Sequence, residues 1–429
     1  MGSMIELSVG ELDIDTGKNA FFSDHSPLFQ VTDIAQISYI YVGEDNVYLT
    51  EWKEGYSRKL EHVLPRLDLL GFPPDSQQVW FDTFVADCSE EISRYEDDDY
   101  LAGIAADRRM LLDKITLETV RQAFRTITIK PRSDKTVFVH EEYLSSEEIL
   151  AKALGDTPII RDSFGEEDDI RPNLRHLVQS MHPWVLLRFI AENPVHLTLD
   201  VKWGFNDVVE DGWVTKENIV KPLSIDQQFL IVTEGSSDTS IISHSLQILR
   251  PDIADFFRFV DMSESYPFSG IGNLHNFCKG LICIGHSHPT VFIYDNDTEG
   301  TEKLIETQKL NLLPDMRVIK LPDLAVFEHF SCVGPNGASQ QNINGKAAAI
   351  ECYLDLRAKQ PTVRWTAYNS KAREYQGILE DKGLYAKRFY SVIAEDTGYD
   401  FSKLDIVLDY VVSVCTGIKS VDIAWDNED

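Results

Sequence analysis

A chain of 429 residues with 43% hydrophobic and 10% aromatic content is long enough for two or three domains with real cores and too apolar to be a disordered tail. Its formal charge of −30, from 70 acidic against 40 basic residues, argues against tight, non-specific binding of duplex nucleic acid at physiological salt, though not against a local basic groove. No apolar run approaches the ~18–20 residues of a membrane helix and no basic-then-apolar leader is visible, so the expectation is a cytoplasmic protein without a membrane partner.

The first 70 residues or so alternate strand-like pieces with turns. In IELSVGELDIDTGKN the side chains of Ile5, Leu7 and Val9 fall on one face of a strand, followed by a turn. ISYIYVG, residues 37–43, is a strand by its β-branched and aromatic content. YSRKLEHVLPRLDLLG reads as a helix ending at Gly71, with Leu60, Val63, Leu64, Leu67 and Leu70 as its apolar stripe. Residues 101–155 read as largely helical, interrupted by the basic TIKPRSDK, and residues 171–192 as a further helix with Pro172 near its start. HLTLDVKW, residues 196–203, reads as a strand, and GFNDVVEDGW as a turn-rich connection.

From Phe229 the texture changes to strict alternation. FLIVT is a short buried strand, SDTSIISHSLQILR a helix, FFRFVD a second strand, and GIGNLHNFCKGL a turn leading into a helix. TVFIYDND is a third strand, EGTEKLIETQKLNLL a helix, and MRVIKL a fourth strand. That βαβαβαβ order predicts a parallel sheet flanked by helices. Beyond it KAAAIECYLDL reads as a helix, TVRWTAY as a strand, and two helices follow Asp381. The fold class is therefore α/β, preceded by an α+β N-terminal domain. The expected boundaries are residues 4–222, 226–368 and a helical C-terminal segment 369–429.

In open parallel sheets functional groups gather at the carboxyl ends of strands. EGSSD puts Glu234 directly after the first strand and Asp238 one turn into the next helix. YDND puts Asp295 and Asp297 at the end of the third, two apart and so on one side of a strand. Four carboxylates brought together repel one another, and a hard divalent cation such as Mg²⁺ resolves the conflict while keeping waters for a phosphate substrate. Each motif alone is common by chance, and Asp238 also suits a helix cap; their ordered pairing inside one βα alternation is what points to a site. The acidic balance favours a metal-bridged contact with phosphate, or a partner protein that brings the nucleic acid. The six cysteines form no CxxC pair. Cys278 and Cys283, followed by His286 and His288, fit no common zinc spacing and read as reduced thiols and loop histidines.

EGSSD followed by YDND resembles the Toprim domain shared by primases, topoisomerases and nucleases of the overcoming-lysogenization-defect (OLD) type. The resemblance implies acid/base or metal-binding work for Glu234, Mg²⁺ (or Mn²⁺) binding by Asp295 and Asp297, and Asp238 as an added ligand, as in the nuclease branch. IELSVGELDIDTGKNAFFSDHSPLFQ, with EGYSRKLEHVLPRLDLLGF, resembles the HEPN/Toprim N-terminal associated domain of bacterial proteins often linked to antiphage defence, and assigns no chemistry of its own. No tyrosine-bearing topoisomerase domain or primase zinc module is visible, which leaves the nuclease branch, acting on DNA or RNA. OLD-type nucleases use a second metal position with acids and a lysine further along, which NGKAAAIECYLD supplies as Lys346, a phosphate contact, and Glu351 and Asp355, four apart on one predicted helix face. The same spacing equally suits an ordinary solvated face. There is no GxxxxGK[ST], so energy-dependent sensing would fall to a partner protein of a defence system. RPNLRH carries Arg171 and His176 at the R-x4-H spacing of HEPN ribonucleases, but Pro172 suits only a first helical turn. The rival to a nuclease is an inactive nucleic-acid sensor or binding module acting through a partner protein.

Overall fold

The computed structural model describes residues 2–42, 47–96, 102–113, 115–132, 137–139, 181–260, 271–335, 337–370, 374–392 and 398–419. The chain divides into two compact units, Met1–Pro222 and Leu223–Asp429.

The first unit is built on an antiparallel sheet. Its strands are β1 (Met4–Val9), β2 (Leu12–Lys18), β3 (Ile34–Val42), β4 (Val47–Lys59), β5 (Val137–Val139) and β6 (Asp200–Gly204), in the order β2-β1-β6-β4-β3 with β5 on β4. The alternation read from the sequence holds: Ile5, Leu7 and Val9 are buried, and β1 turns into β2 with Val9 opposite Leu12. The unit's longer helices among the described residues are Leu60–Leu69, Ser76–Glu96, Ala102–Leu112, Leu117–Thr126 and Pro183–Ile190. The helix predicted from Tyr56 starts only at Leu60, because Tyr56–Lys59 are held in the sheet opposite Asp200–Trp203. Similarly, residues 196–198 form a tight 3₁₀ turn before β6, and Asn206–Glu210 is a short helix where a turn-rich connection was expected. Arg66 is fully buried, and its guanidinium donates to the carbonyls of Pro27 and Phe29, each at 3.0 Å, so its burial leaves these donors satisfied.

The second unit carries the parallel sheet. β7 (Phe229–Thr233), β8 (Phe257–Phe259), β9 (Thr290–Tyr294) and β11 (Met316–Lys320) pair in the order β11-β9-β7-β8, all parallel. The connecting helices are Ser236–Leu249, Ile271–Cys283 and Thr298–Gln308. Every side chain of β9 is buried, as expected of a strand covered on both faces. Val232, Phe292, Tyr294, Leu274, Cys278 and Met316 form a common core. Between β9 and β11 the two residues of β10 (Asn296–Asp297) leave this sheet and pair with β14 (Ala347–Ala348).

A second, mixed sheet in this unit orders β12 (Phe330–Gly334), β13 (Gly337–Gln341), β15 (Val363–Asn369) and β16 (Glu374–Leu379) as β13-β12-β15-β16. β16 lies in the segment read from sequence as helical, and the two expected helices follow it at Lys382–Tyr390 and Ser402–Lys419. The last of these buries Leu404, Val407, Leu408, Val411, Cys415 and Ile418, one face at helical spacing. The helix expected over KAAAIECYLDL does not form. That stretch is β14 and two 3₁₀ turns, Ile350–Tyr353 and Leu356–Ala358.

Candidate metal centre

The strand order contains a switch point. From β7 the chain moves to β8 on one side, then crosses to β9 on the other and continues outward to β11. The crevice where successive connections diverge lies between the carboxyl ends of β7 and β9, the place where open α/β sheets bind ligands. Thr233 of β7 pairs with Ile293 of β9, so Glu234 and Asp295 emerge there side by side.

Each acid is positioned by backbone. Glu234 Oε1 accepts the N–H of Asp295 at 2.9 Å. Thr233 Oγ1 donates to the Gly235 carbonyl at 3.0 Å and lies 2.7 Å from Thr239 Oγ1, fixing the turn that leads to Asp238 in the first turn of the helix. Asp295 Oδ1 accepts the N–H of Ile350 at 3.2 Å. Asp297 caps the helix that begins at Thr298, accepting the N–H of Gly300 at 2.7 Å. A Cβ at Gly300 would sit 2.2 Å from the Asp295 carbonyl oxygen, so only glycine allows this helix to start so close to the acid. Asp295 and Asp297 do not share one strand face as expected: the strand ends at Tyr294, and Asp297 belongs to the β10–β14 ladder.

The four acids are half-buried, hemmed in by protein atoms yet partly open to solvent. Burial pushes the Glu234 carboxyl up to about 8, with Asp297, Asp238 and Glu299 adding repulsion. Burial and then Glu351 push Asp238 up to about 7. Asp295 is raised well above the ordinary carboxylate range, first by burial and then by Asp238, Glu234, Asp297 and Glu351. Asp297 is raised as well, chiefly by burial. Carboxyls shifted together by burial and by like charge make these acids a candidate functional site.

Glu351 joins this cluster, but from a 3₁₀ turn and not from a helix face. It accepts from Ser237 Oγ at 2.8 Å and lies 3.5 Å from Lys382 Nζ. Asp355 does not join it. Both its oxygens are engaged: Arg357 binds at 2.8 and 2.7 Å, Arg388 at 3.1 Å, and the N–H groups of Arg357 and Asp400 at 3.0 and 3.2 Å. Against the cost of burial, these partners hold its carboxyl far below the usual range. The expected common helix face of Glu351 and Asp355 is thereby overturned: Ile350 is pulled onto Asp295, which opens the backbone into a turn. Lys346 bridges the backbone of Asp297, and its ammonium lies 3.1 Å from Glu374.

Sequence reasoning missed Asn296, the buried residue between the two aspartates. Its Oδ1 accepts from Lys320 Nζ at 2.8 Å and Gly345 N at 2.7 Å, and its amide donates to the Pro322 carbonyl and Tyr353 Oη, each at 3.3 Å. It ties the acidic loop to the segment carrying Lys346. In sequence it stands only as a polar residue between two acids, which marks no role of its own. Arg171 and His176 lie outside the described residues. All six cysteines are free thiols; Cys278 is buried in the core.

The donor set is all carboxylate oxygen, the kind a hard divalent ion prefers. Among the described residues, five acids crowd here, and the Lys382 ammonium 3.5 Å from Glu351 is itself largely exposed. As they stand, however, no three His, Cys, Asp or Glu side chains among the described residues form a ready-made cage. Their oxygens are turned onto backbone N–H groups.

A family model described as HEPN/Toprim N-terminal domain 1 matches residues 1–227. No curated protein and no solved structure matches the chain.

Proposed function

The chain belongs to the HEPN/Toprim N-terminal domain 1 family, and from that premise we propose that its second unit is a metal-dependent nuclease hydrolysing phosphodiester bonds of DNA or RNA. What supports the proposal is that Glu234, Asp238, Asp295 and Asp297 follow the ends of β7 and β9, all with carboxyls raised chiefly by burial, and that Glu234, Asp238 and Asp297 each add repulsion at Asp295. The family name couples this N-terminal domain to nuclease-associated folds, and the EGSSD and YDND motifs resemble the Toprim domain of OLD-type nucleases.

Glu234, Asp238, Asp295 and Asp297, with Glu351, would hold Mg²⁺ or Mn²⁺. A divalent ion bound there supplies charge for a phosphate oxygen and a more acidic water. The chain's own residues do the rest. Glu234 has Oε1 committed to the Asp295 N–H, so Oε2 is the atom that holds or passes a proton near neutral pH. Lys346, beside Asp297, would meet a phosphate after leaving Glu374, a partly exposed pair of small worth. The resemblance of the N-terminal sequence supports a role in bacterial antiphage defence, with a partner protein supplying the trigger. Among the described residues no helix is long and apolar enough to cross a membrane, and a cytoplasmic location is part of the same proposal.

One observation favours a second reading, an inactive sensor or binding module acting through a partner: the acids bind backbone amides and form no cage as they stand. Incubating the pure protein with plasmid, single-stranded DNA and total tRNA, in Mg²⁺ or Mn²⁺, separates the two. Metal-dependent cleavage that Asp295→Asn abolishes supports the nuclease. Intact substrates under all conditions, with nucleic acid nevertheless bound, support the sensor.

A further inference from the structure

We propose that Tyr368 and Tyr375 form a base-stacking subsite that selects single-stranded nucleic acid and leads it to the acidic centre; the role at that centre rests on the nuclease reading above. The two tyrosines face each other across the β15–β16 hairpin, with ring centroids 5.2 Å apart and planes at 67°. They are 56% and 49% exposed, and each offers a large flat apolar face with a polar tip. An edge-to-face pair leaves ring surface open, and a base has a flat face to cover it.

The hairpin that carries the rings is tied through its backbone to the acidic loop. Gln376, next to Tyr375, hydrogen-bonds the Asp297 carboxylate. Thr298 Oγ1, immediately after Asp297, donates to the Tyr375 carbonyl at 3.2 Å, and the N–H of Gly377 reaches the Lys346 carbonyl at 3.4 Å. A single strand stacked on the rings therefore lies on the hairpin that braces the segments carrying Asp297 and Lys346.

Charge decides the occupant. A protein at −30 cannot hold a polyanion by its overall field. Stacking needs no net charge and is tolerant of sequence, so it is the attraction this surface can supply. Duplex bases already stack on one another and hide their faces, which leaves single-stranded or splayed nucleic acid. A cross-strand aromatic pair also stabilises its own hairpin, so the test must separate binding from folding.

The full-length protein is titrated into a labelled oligothymidylate about a dozen nucleotides long and into its duplex with oligodeoxyadenylate, in EDTA and in Ca²⁺, and read by fluorescence anisotropy. The single strand should bind more tightly than the duplex. Tyr368→Ala with Tyr375→Ala should weaken single-strand binding about tenfold or more, while the double Phe variant stays within about twofold of wild type. Melting temperatures confirm that the variants fold; if the Ala pair does not, the single Ala variants, each expected to lose about fivefold, carry the comparison. Absence of single-strand binding, or Ala variants that fold and bind like wild type, overturns the proposal. Cleavage of the same oligonucleotide in Mn²⁺ is read separately: tyrosine-dependent binding without cleavage leaves the subsite standing and removes the nuclease, and cleavage indifferent to both tyrosines does the reverse.

Discussion

The carboxylate of Glu234 accepts the backbone N–H of Asp295 at 2.9 Å, joining the ends of β7 and β9 at the point where the sheet's connections diverge. One bond thereby fixes both acids. Glu234 is turned toward the aspartates, and Asp295 cannot withdraw without leaving a carboxylate and an amide unpaired. The acids are crowded by the fold itself, so each has an electrostatic consequence that can be measured.

The first consequence concerns Asp295, which feels repulsion from four other acids. Asp295→Asn keeps the shape and removes the charge. It should abolish cleavage and leave the melting temperature without metal unchanged or higher, because repulsion is relieved. Wild-type protein should gain stability from Mg²⁺ or Mn²⁺ by mass action, and the variant little. Thermal melts of both proteins, with ion and with EDTA, read this directly; cleavage by Asp295→Asn at the wild-type rate would remove this residue from the mechanism.

The second is a pH dependence. Glu234 and Asp238 titrate at about 8 and about 7 in the folded protein, against ordinary values of 4.5 and 3.8. Raised carboxyls bind more protons folded than unfolded. Their stability contribution is therefore full below about pH 4 and lost as pH climbs through 7 to 8. In EDTA the melting temperature should fall from about pH 5 to about pH 8.5, and less steeply in Glu234→Gln than in wild type. Equal slopes in the two proteins would mean that Glu234 is already ionised at low pH.

Gly300 provides a steric test. A methyl group there meets the Asp295 carbonyl oxygen at 2.2 Å, and backbone on both sides leaves little to yield. Gly300→Ala should displace Asp295 or the start of the helix from Thr298. Loss of the metal-induced thermal shift is expected, with a lowered melting temperature reflecting a cost of about 1–3 kcal/mol. An unchanged shift would show that the acids do not need this approach.

What could be read from the sequence follows from how locally each element is determined. FLIVT and TVFIY are unbroken apolar runs because parallel strands are covered on both faces, and the acids after them are visible for that reason. KAAAIECYLDL has the composition of a helix, yet Ala347 and Ala348 pair with Asn296 and Asp297, and Ile350 binds Asp295. Those partners lie about fifty residues away, and tertiary bonding overrides a weak local preference. The same contacts explain why Glu351 reaches the cluster from a 3₁₀ turn. Asn296 was illegible because its role consists of contacts to Lys320, Pro322, Gly345 and Tyr353, none of which its neighbours in sequence announce.

Asp355 completes the contrast with Asp295. Asp295 is half-buried and Asp355 buried, and both looked from the sequence like ligands. Asp295 is surrounded by like charge, whereas Asp355 is held by two arginines and two backbone N–H groups. Removing the charge should therefore act oppositely. Asp355→Asn leaves Arg357 and Arg388 without their carboxylate, at a cost of about 2–4 kcal/mol once the exposure of Arg357 is discounted. That corresponds to a melting temperature lower by about 5–10 °C for a unit of this size. The stabilisation gained from Mg²⁺ or Mn²⁺ should persist, since the metal-binding acids are untouched. A variant that melts like wild type but no longer responds to the ion would return Asp355 to the metal centre and make its arginines the guests of a ligand site.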